Sequence, residues 1–218
     1  MQIQGLQKLT LLDYPGRTAC TVFLSGCNFR CPFCHNAPLL TAADEDGMDE
    51  DGLLAFLKKR QGLLDGVAVT GGGPLLRPDL PQLLEKIKAL GYAVKLDTNG
   101  TFPERLEAVV RAGLADDVAM DIKNNPERYA ETAGVPGLDL TPVFRSVSLL
   151  LRGRVTYEFR TTAAAEPHDD ATMTLEDTER ETIKRSLERN EGKRKKTAEE
   201  LKISERTLYR KIKEYGLE

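Results

Sequence analysis

The sequence predicts an α/β fold, in which parallel strands form an open sheet or part of a barrel, followed by a small all-α module. Two observations lead to this prediction. Over about the first 165 residues, short apolar runs alternate with amphipathic helical stretches, which is typical of right-handed βαβ crossovers. From about residue 165 onward the alternation ends, and every later segment has a helical pattern.

Five apolar runs are predicted strands, each with apolar residues on both faces, as in buried parallel strands: 19–26, 66–72, 92–100, 117–123 and 155–163. Four amphipathic stretches between them are predicted helices: 51–64, 80–91, 103–114 and 141–153. The strands end in glycine and polar residues, in the sequences SGC, TGGG, DTNG and DIK. Because α/β sheets and barrels bind ligands at the carboxyl ends of their strands, we expect a site there.

Charge and cysteine placement exclude several classes of protein. The net charge is -3, so the chain is not basic throughout, and residues 173–218 form its mildly basic part. No apolar run approaches the ~18 residues of a membrane span, and the first residues lack a signal-peptide pattern. We therefore expect a cytoplasmic protein with no membrane association. All four cysteines lie between residues 20 and 34, which is not the layout of a disulfide scaffold.

Cys27, Cys31 and Cys34 form a C-x3-C-x2-C motif on the loop that leaves the first predicted strand. Three thiolates can hold three irons of a cubane cluster and leave the fourth iron open to a ligand. The alternative is a zinc site with Cys20 or His35 as the fourth ligand. Zinc motifs usually come as paired CxxC hooks, and Cys20 lies within a strand as an apolar filler, so the cluster is favoured.

The stretch LTLLDYPGRTACTVFLSGCNFRCPFCHNAPLL (9–40) resembles the radical S-adenosylmethionine (SAM) family. Within that family it is most similar to activating enzymes of anaerobic ribonucleoside-triphosphate reductase and other glycyl radical enzymes. Phe33, just before the third cysteine, fits the family pattern. The resemblance continues through GLLDGVAVTGGGPLL, KLDTNG, VAMDIK and YEFRTT, to about residue 169.

The resemblance implies two cofactors, a [4Fe-4S] cluster on Cys27, Cys31 and Cys34 and SAM on its open iron. One electron from the cluster would cleave the sulfonium, and the resulting 5′-deoxyadenosyl radical would abstract a hydrogen atom. The implied partners are a glycyl radical enzyme, such as anaerobic ribonucleotide reductase, and an electron donor such as flavodoxin. The positions that match SAM-binding positions of the family are Gly71, Gly72, Gly73, Asp97, Thr98, Asn99, Asp121, Lys123 and Arg160. Arg160 would pair with the methionine carboxylate of SAM.

The chain departs from the family pattern at two places. Relatives usually read GGEP where this chain has Gly72-Gly73-Pro74, so a carboxylate near the SAM amino group is missing. Relatives also continue after EFRTT through a further strand and helix of a six-unit partial barrel. In this chain the match fades after EFRTT. We therefore expect a truncated partial barrel with an uncovered sheet edge.

Residues 174–217 resemble the Fis-type helix-turn-helix that closes many bacterial enhancer-binding activators. Its helices are predicted at 175–192, 193–203 and 204–217, with Ser204 as an N-cap and with Thr-x-x-acid capping boxes at 174–177 and 197–200. Ala198 is small enough for two helices to cross closely. The residues expected to face DNA are Lys193, Arg194, Lys195, Lys196, Arg206, Thr207, Tyr209, Arg210 and Lys213. The alternative is a helical hairpin with a solvated charged face.

These observations predict a radical SAM partial barrel at 1–165, a linker at 166–173 and a helix-turn-helix at 174–218. The leading interpretation is a radical SAM activase with a DNA-binding module, which would form a homodimer through the first helix of that module. One rival is a DNA-binding transcriptional regulator with an iron-sulfur or vestigial radical SAM domain. A second rival is an artificial or accidental chimera without SAM activity.

Overall fold

The structure, a computed structural model, describes residues 2–40, 47–161, 175–201 and 203–217, without the side chains of 175–179, 181 and 185. The chain divides into two compact units, Met1–Ala164 and Ala165–Glu218, and each is described by itself. The linker predicted at 166–173 lies outside the described residues and stays a prediction.

A six-stranded sheet forms the frame of the first unit. The strands are β1 (Gln2–Ile3), β2 (Gly5–Thr10), β3 (Ala19–Leu24), β4 (Met48–Asp49), β5 (Gly66–Gly71), β6 (Ala93–Thr98), β7 (Asp117–Asp121) and β8 (Thr156–Arg160). In the large sheet the order is β2-β3-β5-β6-β7-β8, and the strands from β3 to β8 run parallel. The parallel α/β fold and all five predicted strands are confirmed.

The N-terminal residues add strands that the sequence pattern did not predict. β2 pairs antiparallel with β3, and β1 and β4 form a separate two-stranded sheet. The burial of β2 is irregular along its length, so no clean period of two appears in its sequence.

The helices of this unit are α1 (Glu50–Lys58), α2 (Leu80–Ala89), α3 (Pro103–Arg111), α4 (Tyr129–Ala133) and α5 (Thr141–Leu150). Four of them match the predicted helices, and each ends before the predicted boundary. The fifth, α4, has only five residues, too few for a helical period to be visible in the sequence. Short 3-10 turns at Ala37–Leu40 and Pro74–Leu76 follow the cysteine and glycine segments.

The large buried apolar side chains of the parallel strands lie on one face, and the other face mixes alanine with polar residues, so the prediction of two apolar faces holds only in part. Val22, Val69 and Leu96 share one core with residues of α1, α2 and α3. The alternate positions carry Ala68 and Ala119 together with polar side chains, among them Lys95 and Asp97. Asp97 on this second face lines the cavity described below.

Tyr14 lies against the amino ends of the strands. It is 2% exposed, and its hydroxyl donates a hydrogen bond of 2.7 Å to Oδ2 of Asp117, at the start of β7. Burial, followed by this bond, raises the pKa of Tyr14, so the hydroxyl stays protonated and remains a donor. The Tyr14 ring occupies the space beside Gly66, where an added Cβ would lie 2.8 Å from the ring. β5 therefore begins with a glycine because the aromatic ring leaves no space for a side chain.

β8 is the last strand of the sheet among the described residues, and within them only β7 pairs with it. Its outer side chains are partly solvated, with Phe159 39% exposed. Residues 162–174, which follow β8, lie outside the described residues, so the uncovered edge stays a prediction. No helix within the described ranges is long and apolar enough to cross a lipid bilayer.

The second unit contains α6 (Leu175–Arg189), α7 (Arg194–Glu200) and α8 (Glu205–Tyr215). Its core is formed by Ile183, Ala198, Leu208, Ile212 and Tyr215, with Leu187, Leu201, Ile203 and Leu217 packed against it. Ala198 is 2% exposed, in agreement with its predicted place at the helix crossing.

The caps of this unit agree with the sequence at α8 and differ at α7. The Ser204 side chain accepts a hydrogen bond of 3.0 Å from the Thr207 amide, and Gly216 ends α8 with φ 61°. Thr197 does not begin a helix, because α7 starts at Arg194 and the Thr197 hydroxyl donates to the Lys193 carbonyl instead. The capping box predicted at 174–177 begins outside the described residues.

Gly66→Ala is expected to destabilise the first unit by about 1–3 kcal/mol, because the new methyl group would overlap the Tyr14 ring. The measurement is the free energy of unfolding from urea titration. The matched control is Gly73→Ala, since Gly73 has φ -142° and its added Cβ meets nothing closer than 3.7 Å. The control should lie within about 0.5 kcal/mol of the unmodified chain. Equal stability of the two variants would contradict the packing role assigned to Tyr14.

Candidate functional site

The three motif cysteines lie on the loop after β3, as the sequence predicts. Cys27, Cys31 and Cys34 are half-buried, and all three line one cavity of about 560 Å³. This volume lies within the range of small-molecule and cofactor pockets in proteins. The cavity is also lined by residues from the ends of β5, β6, β7 and β8: Thr70, Gly71, Gly72, Asp97, Thr98, Asn99, Asp121, Lys123, Arg160 and Thr161.

Gly71 and Gly72 hold the cysteine loop by direct backbone contact. Gly71 has φ 118°, and a Cβ there would lie 2.3 Å from the Leu24 carbonyl oxygen. At Gly72 a Cβ would lie 2.0 Å from the Gly26 oxygen. The Gly72 amide donates to Leu24 at 3.0 Å, and the following amide donates to Gly26 at 2.8 Å. These amides, predicted to approach SAM, are engaged with the chain's own loop.

Gly73 differs from the two glycines before it. Its φ is -142°, and the atoms nearest to an added Cβ are the Cys27 Sγ at 3.7 Å and the Asn28 Oδ1 at 3.9 Å. These are ordinary van der Waals distances, so the backbone at this position accepts a side chain. A side chain here would point toward the first cysteine.

The helix α4, which the sequence analysis missed, supports the other side of the cysteine loop. The Arg30 amide donates 2.8 Å to the carbonyl of Ala133, and its guanidinium donates to the Cys27 carbonyl at 2.6 Å. Gly134 ends α4 with φ 65°, and a Cβ there would lie 2.1 Å from the Arg30 oxygen. The signal that could have found this contact is the glycine that ends the segment YAETAG.

Charged residues at three strand ends form one ion-pair network. Arg160 Nη2 lies 3.0 Å from Asp97 Oδ2, and Arg160 Nε lies 3.2 Å from Asp121 Oδ1. Lys123 Nζ lies 3.0 Å from the other oxygen of Asp121. Burial raises the pKa of Asp97 above its usual value, although the Arg160 charge acts in the opposite direction. The predicted SAM-binding positions Asp97, Asp121, Lys123 and Arg160 thus lie together, and Arg160 is paired with two carboxylates.

Thr98 and Asn99, also predicted to bind SAM, are mostly enclosed by the protein. Thr98 is 5% exposed, and its hydroxyl accepts a hydrogen bond from the Gly100 amide at 3.0 Å. Asn99 is 8% exposed, and its side-chain amide is hydrogen-bonded to the cysteine loop. Both residues border the cavity, and the polar side-chain atoms of both form hydrogen bonds with other residues of the chain.

The cysteine loop fits an iron-sulfur cluster in the type and number of its donors. Among the described residues, no group of three histidine, cysteine or acidic side chains is already arranged to hold a metal ion. The three half-buried thiols can reach new positions by χ1 rotation. Burial raises the pKa of Cys31, the charges of Cys27 and Cys34 add to this rise, and Lys123 opposes it. A positive metal centre is the counter-charge that such crowded thiolates need.

Cys20 lies apart from this set. It is fully buried in β3 as part of the apolar core, and burial raises the pKa of its thiol to about 12. This agrees with its prediction as an apolar filler and disfavours it as a zinc ligand. His35 lines the cavity beside Cys34, so the alternative with a histidine ligand remains chemically available.

The residues predicted to face DNA lie on the surface of the second unit. The four basic residues from Lys193 to Lys196, at the start of α7, are exposed. On α8 the exposed residues are Arg206, Tyr209, Arg210 and Lys213. Thr207 is half-buried, with its amide used by the N-cap of α8. The Arg194 guanidinium lies 5.5 Å from the centroid of the Tyr209 ring, so a side chain of α7 contacts a side chain of α8.

Comparison with known proteins finds a matching family model for each of the two units. Residues 21–161 match the model of the Radical SAM superfamily. The chain belongs to the radical SAM superfamily. Residues 174–215 match the model of the Fis family of bacterial regulatory proteins. The radical SAM match ends at the residue that follows β8, and the Fis match covers α6, α7 and α8.

Relatives of the radical SAM unit carry out several reactions. The chain is 30% identical over 178 residues to a Methanocaldococcus jannaschii protein provisionally named a glycyl-radical enzyme activating enzyme, covering 77% of this chain and 70% of the relative. It is 32% identical to the pyruvate formate-lyase-activating enzyme of Clostridium pasteurianum, over 56% of this chain and 52% of the relative. It is 36% identical to a 7-carboxy-7-deazaguanine synthase of Halobacterium salinarum, over 45% of this chain and 36% of the relative. The chain spans only about a third to a half of the last two relatives.

Cys31→Ala is expected to abolish iron binding after anaerobic reconstitution, because three thiolates are the minimum for a site-differentiated cluster. Iron and sulfide content per chain, together with the visible absorbance, provide the measurement. Cys20→Ala is the matched control and should retain the cluster, since its thiol is fully buried in the apolar core. Retained iron in Cys31→Ala, or bound zinc without sulfide in the unmodified chain, would refute the ligand assignment.

Proposed function

We propose that the radical SAM unit reductively cleaves S-adenosylmethionine and so activates a glycyl radical enzyme. The observation that carries this proposal is the convergence of three thiols and four strand-end charges on one cavity. The thiols suit a cluster, and the charges suit a zwitterionic ligand. Cys27, Cys31 and Cys34 would hold the [4Fe-4S] cluster, which when bound supplies one electron and an open iron site.

The strand-end charges match the methionine end of SAM in kind. Asp97 and Asp121 offer carboxylates to its ammonium group, and Arg160 and Lys123 offer cations to its carboxylate. An arginine has five N–H donors, more than its two ion pairs here consume. The residues therefore need not exchange all of their present contacts when a ligand enters.

The walls of the cavity favour exclusion of water near the reacting atoms. Phe29 is 2% exposed and packs edge-on against Tyr129 of α4, with ring centroids 6.5 Å apart. Phe29 and Phe33 line the cavity together with the three cysteines. Apolar rings beside the sulfurs lower the local dielectric and would keep a reactive intermediate from solvent.

The choice of a glycyl radical enzyme as the partner rests on the relatives. Two of those above are named for glycyl radical or pyruvate formate-lyase activation, and both cover more of this chain than the deazaguanine synthase does. The electron donor, such as a flavodoxin, and a homodimer through the first tail helix remain predictions from resemblance.

A second function is proposed for the tail, namely DNA binding. The observation that favours it is the surface of α8, where Arg206, Tyr209, Arg210 and Lys213 are all exposed. Basic and aromatic groups on one helix face suit phosphates and base edges. If the first unit proves inactive, this surface supports the rival role of a transcriptional regulator.

The deciding experiment is anaerobic reconstitution, reduction and addition of SAM, with 5′-deoxyadenosine measured as the product. We expect turnover from cluster-loaded protein. A cluster-loaded sample without product that binds DNA would support the regulator. A sample that neither cleaves SAM nor binds DNA above the nonspecific level would support an accidental chimera.

Gly73→Glu is expected to raise the affinity for SAM about ten- to hundredfold, or ~1.5–3 kcal/mol, through a charge-assisted hydrogen bond to the ammonium group of SAM. The measurement is the dissociation constant of SAM for the reconstituted protein. The backbone at Gly73 accepts a side chain without a clash. Gly73→Gln is the matched control, with similar shape and no charge, and should gain less. An unchanged dissociation constant in Gly73→Glu would show that the missing carboxylate has no effect.

Arg210→Ala is expected to weaken DNA binding by about 1–3 kcal/mol if Arg210 contacts a base edge. Competition gel shifts at physiological salt provide the measurement. Lys184→Ala, an exposed cation on α6, is the matched control and should change the affinity little. Equal losses in both variants would indicate nonspecific electrostatic binding and remove the assignment of α8 as a reading helix.

A further inference from the structure

A closed ring of side-chain hydrogen bonds joins the cysteine loop to the end of β6. Asn99 Nδ2 donates to Asn28 Oδ1 at 2.8 Å, and Asn28 Nδ2 donates to Thr101 Oγ1 at 2.9 Å. The Thr101 hydroxyl donates to Asn99 Oδ1 at 2.7 Å, which closes the ring. Asn28 directly follows the first motif cysteine, so the ring acts on the loop that carries the thiols.

The orientation of the Asn99 amide is fixed by its partners. Its Oδ1 accepts from both the amide and the hydroxyl of Thr101, at 3.1 Å and 2.7 Å. Its Nδ2 must therefore face the cysteine loop, since an oxygen there would confront the oxygen of Asn28. In this orientation Nδ2 also lies 3.9 Å from the Sγ of Cys27.

These contacts give Asn99 a different role from the one implied by family resemblance. The side chain is 8% exposed, and both of its polar atoms are hydrogen-bonded within the chain. A direct contact from this amide to SAM would require breaking the ring. The amide instead points a donor at the sulfur of a cluster ligand.

We infer that the Asn28–Asn99–Thr101 ring positions Cys27, donates an N–H to its sulfur and raises the reduction potential of the cluster. The inference rests on the proposed function, because it requires a cluster on Cys27. Hydrogen bonds to cluster sulfurs are among the determinants of iron-sulfur potentials. A donor stabilises the reduced cluster more than the oxidised one, because reduction adds negative charge near the sulfurs. Asn99 and Thr101 are positioning residues in this account and act on SAM only through the cluster.

The test is a redox titration of the reconstituted full chain, in which the electron paramagnetic resonance signal measures the fraction of reduced cluster. Four proteins are compared: the unmodified chain, Asn99→Ala, Thr101→Val and Gln61→Ala. Gln61 is the matched control, an amide that donates to the Leu90 carbonyl outside the cavity. Iron and sulfide content are measured on each sample first, so a failure to load a cluster is seen separately from a change in potential.

We expect Asn99→Ala to lower the reduced-to-oxidised ratio at a fixed potential about fivefold, the effect of one hydrogen bond of ~1 kcal/mol. This corresponds to about 40 mV for a one-electron couple, for which a tenfold change is 59 mV. Thr101→Val should lower the ratio in the same direction by about half as much on a logarithmic scale, since Asn99 keeps the hydrogen bond from the backbone amide of residue 101 but loses the one from the hydroxyl. Gln61→Ala should match the unmodified chain.

Three results would overturn the inference. The first is a cluster-loaded Asn99→Ala with the potential of the unmodified chain. The second is a Thr101→Val with an unchanged potential, and this variant decides the matter if Asn99→Ala does not fold. The third is an equal shift in Gln61→Ala, which would make the effect nonspecific. An unmodified chain that loads no cluster would instead refute the proposed function.

Discussion

The arrangement of the radical SAM unit depends on one backbone-to-backbone contact, in which the glycine segment at the end of β5 packs against the start of the cysteine loop. At Gly71 and Gly72 a Cβ would lie 2.3 Å and 2.0 Å from the oxygens of Leu24 and Gly26. Only glycine allows this approach, and the amide hydrogen bonds formed there fix where the loop leaves β3. Because Cys27 follows directly, the same contact determines where the first sulfur lies beside Asn99, at the end of β6.

The strand-end charges are stable at that place because they compensate one another. Arg160 lies between Asp97 and Asp121, so three strands that are separate in sequence become coupled through one guanidinium. Partly buried charges are costly unless paired, and an arginine with a planar fork can hold two carboxylates at once. A buried cation, Lys95, pairs at 2.8 Å with Glu158 on β8. The polar side chains of this face thus form pairs of opposite charge.

The sequence predicts the parts of the fold that repeat and the parts of the site that carry distinctive chemistry. The parallel strands follow from the apolar runs, and the cysteine motif from its spacing. The individual site positions, Arg160 above all, follow from the resemblance to the radical SAM family, and Gly73 among them does not line the cavity. The sequence pattern does not predict the short helix α4, because its five residues show no helical period. Nor does it predict the antiparallel strand β2 or the Tyr14 contact with Gly66, because each depends on a pairing between distant residues. The role of Asn99 is hidden for the same reason, since its partners Asn28 and Thr101 become visible only when the loop and strand meet.

The network places Arg160 on β8, which is an end strand of the sheet among the described residues. Arg160 and Glu158 both lie on β8, which within the described residues has a neighbour on one side only, and whose Phe159 is 39% exposed. Edge strands open more readily than central ones, because fewer backbone hydrogen bonds and apolar contacts hold them. The cysteine loop, by contrast, is attached to central strands and to α4. Under the proposed function, cluster binding would therefore depend on the centre of the sheet, and ligand binding by Arg160 on β8. The chain would then keep its cluster under conditions in which a charged ligand is lost.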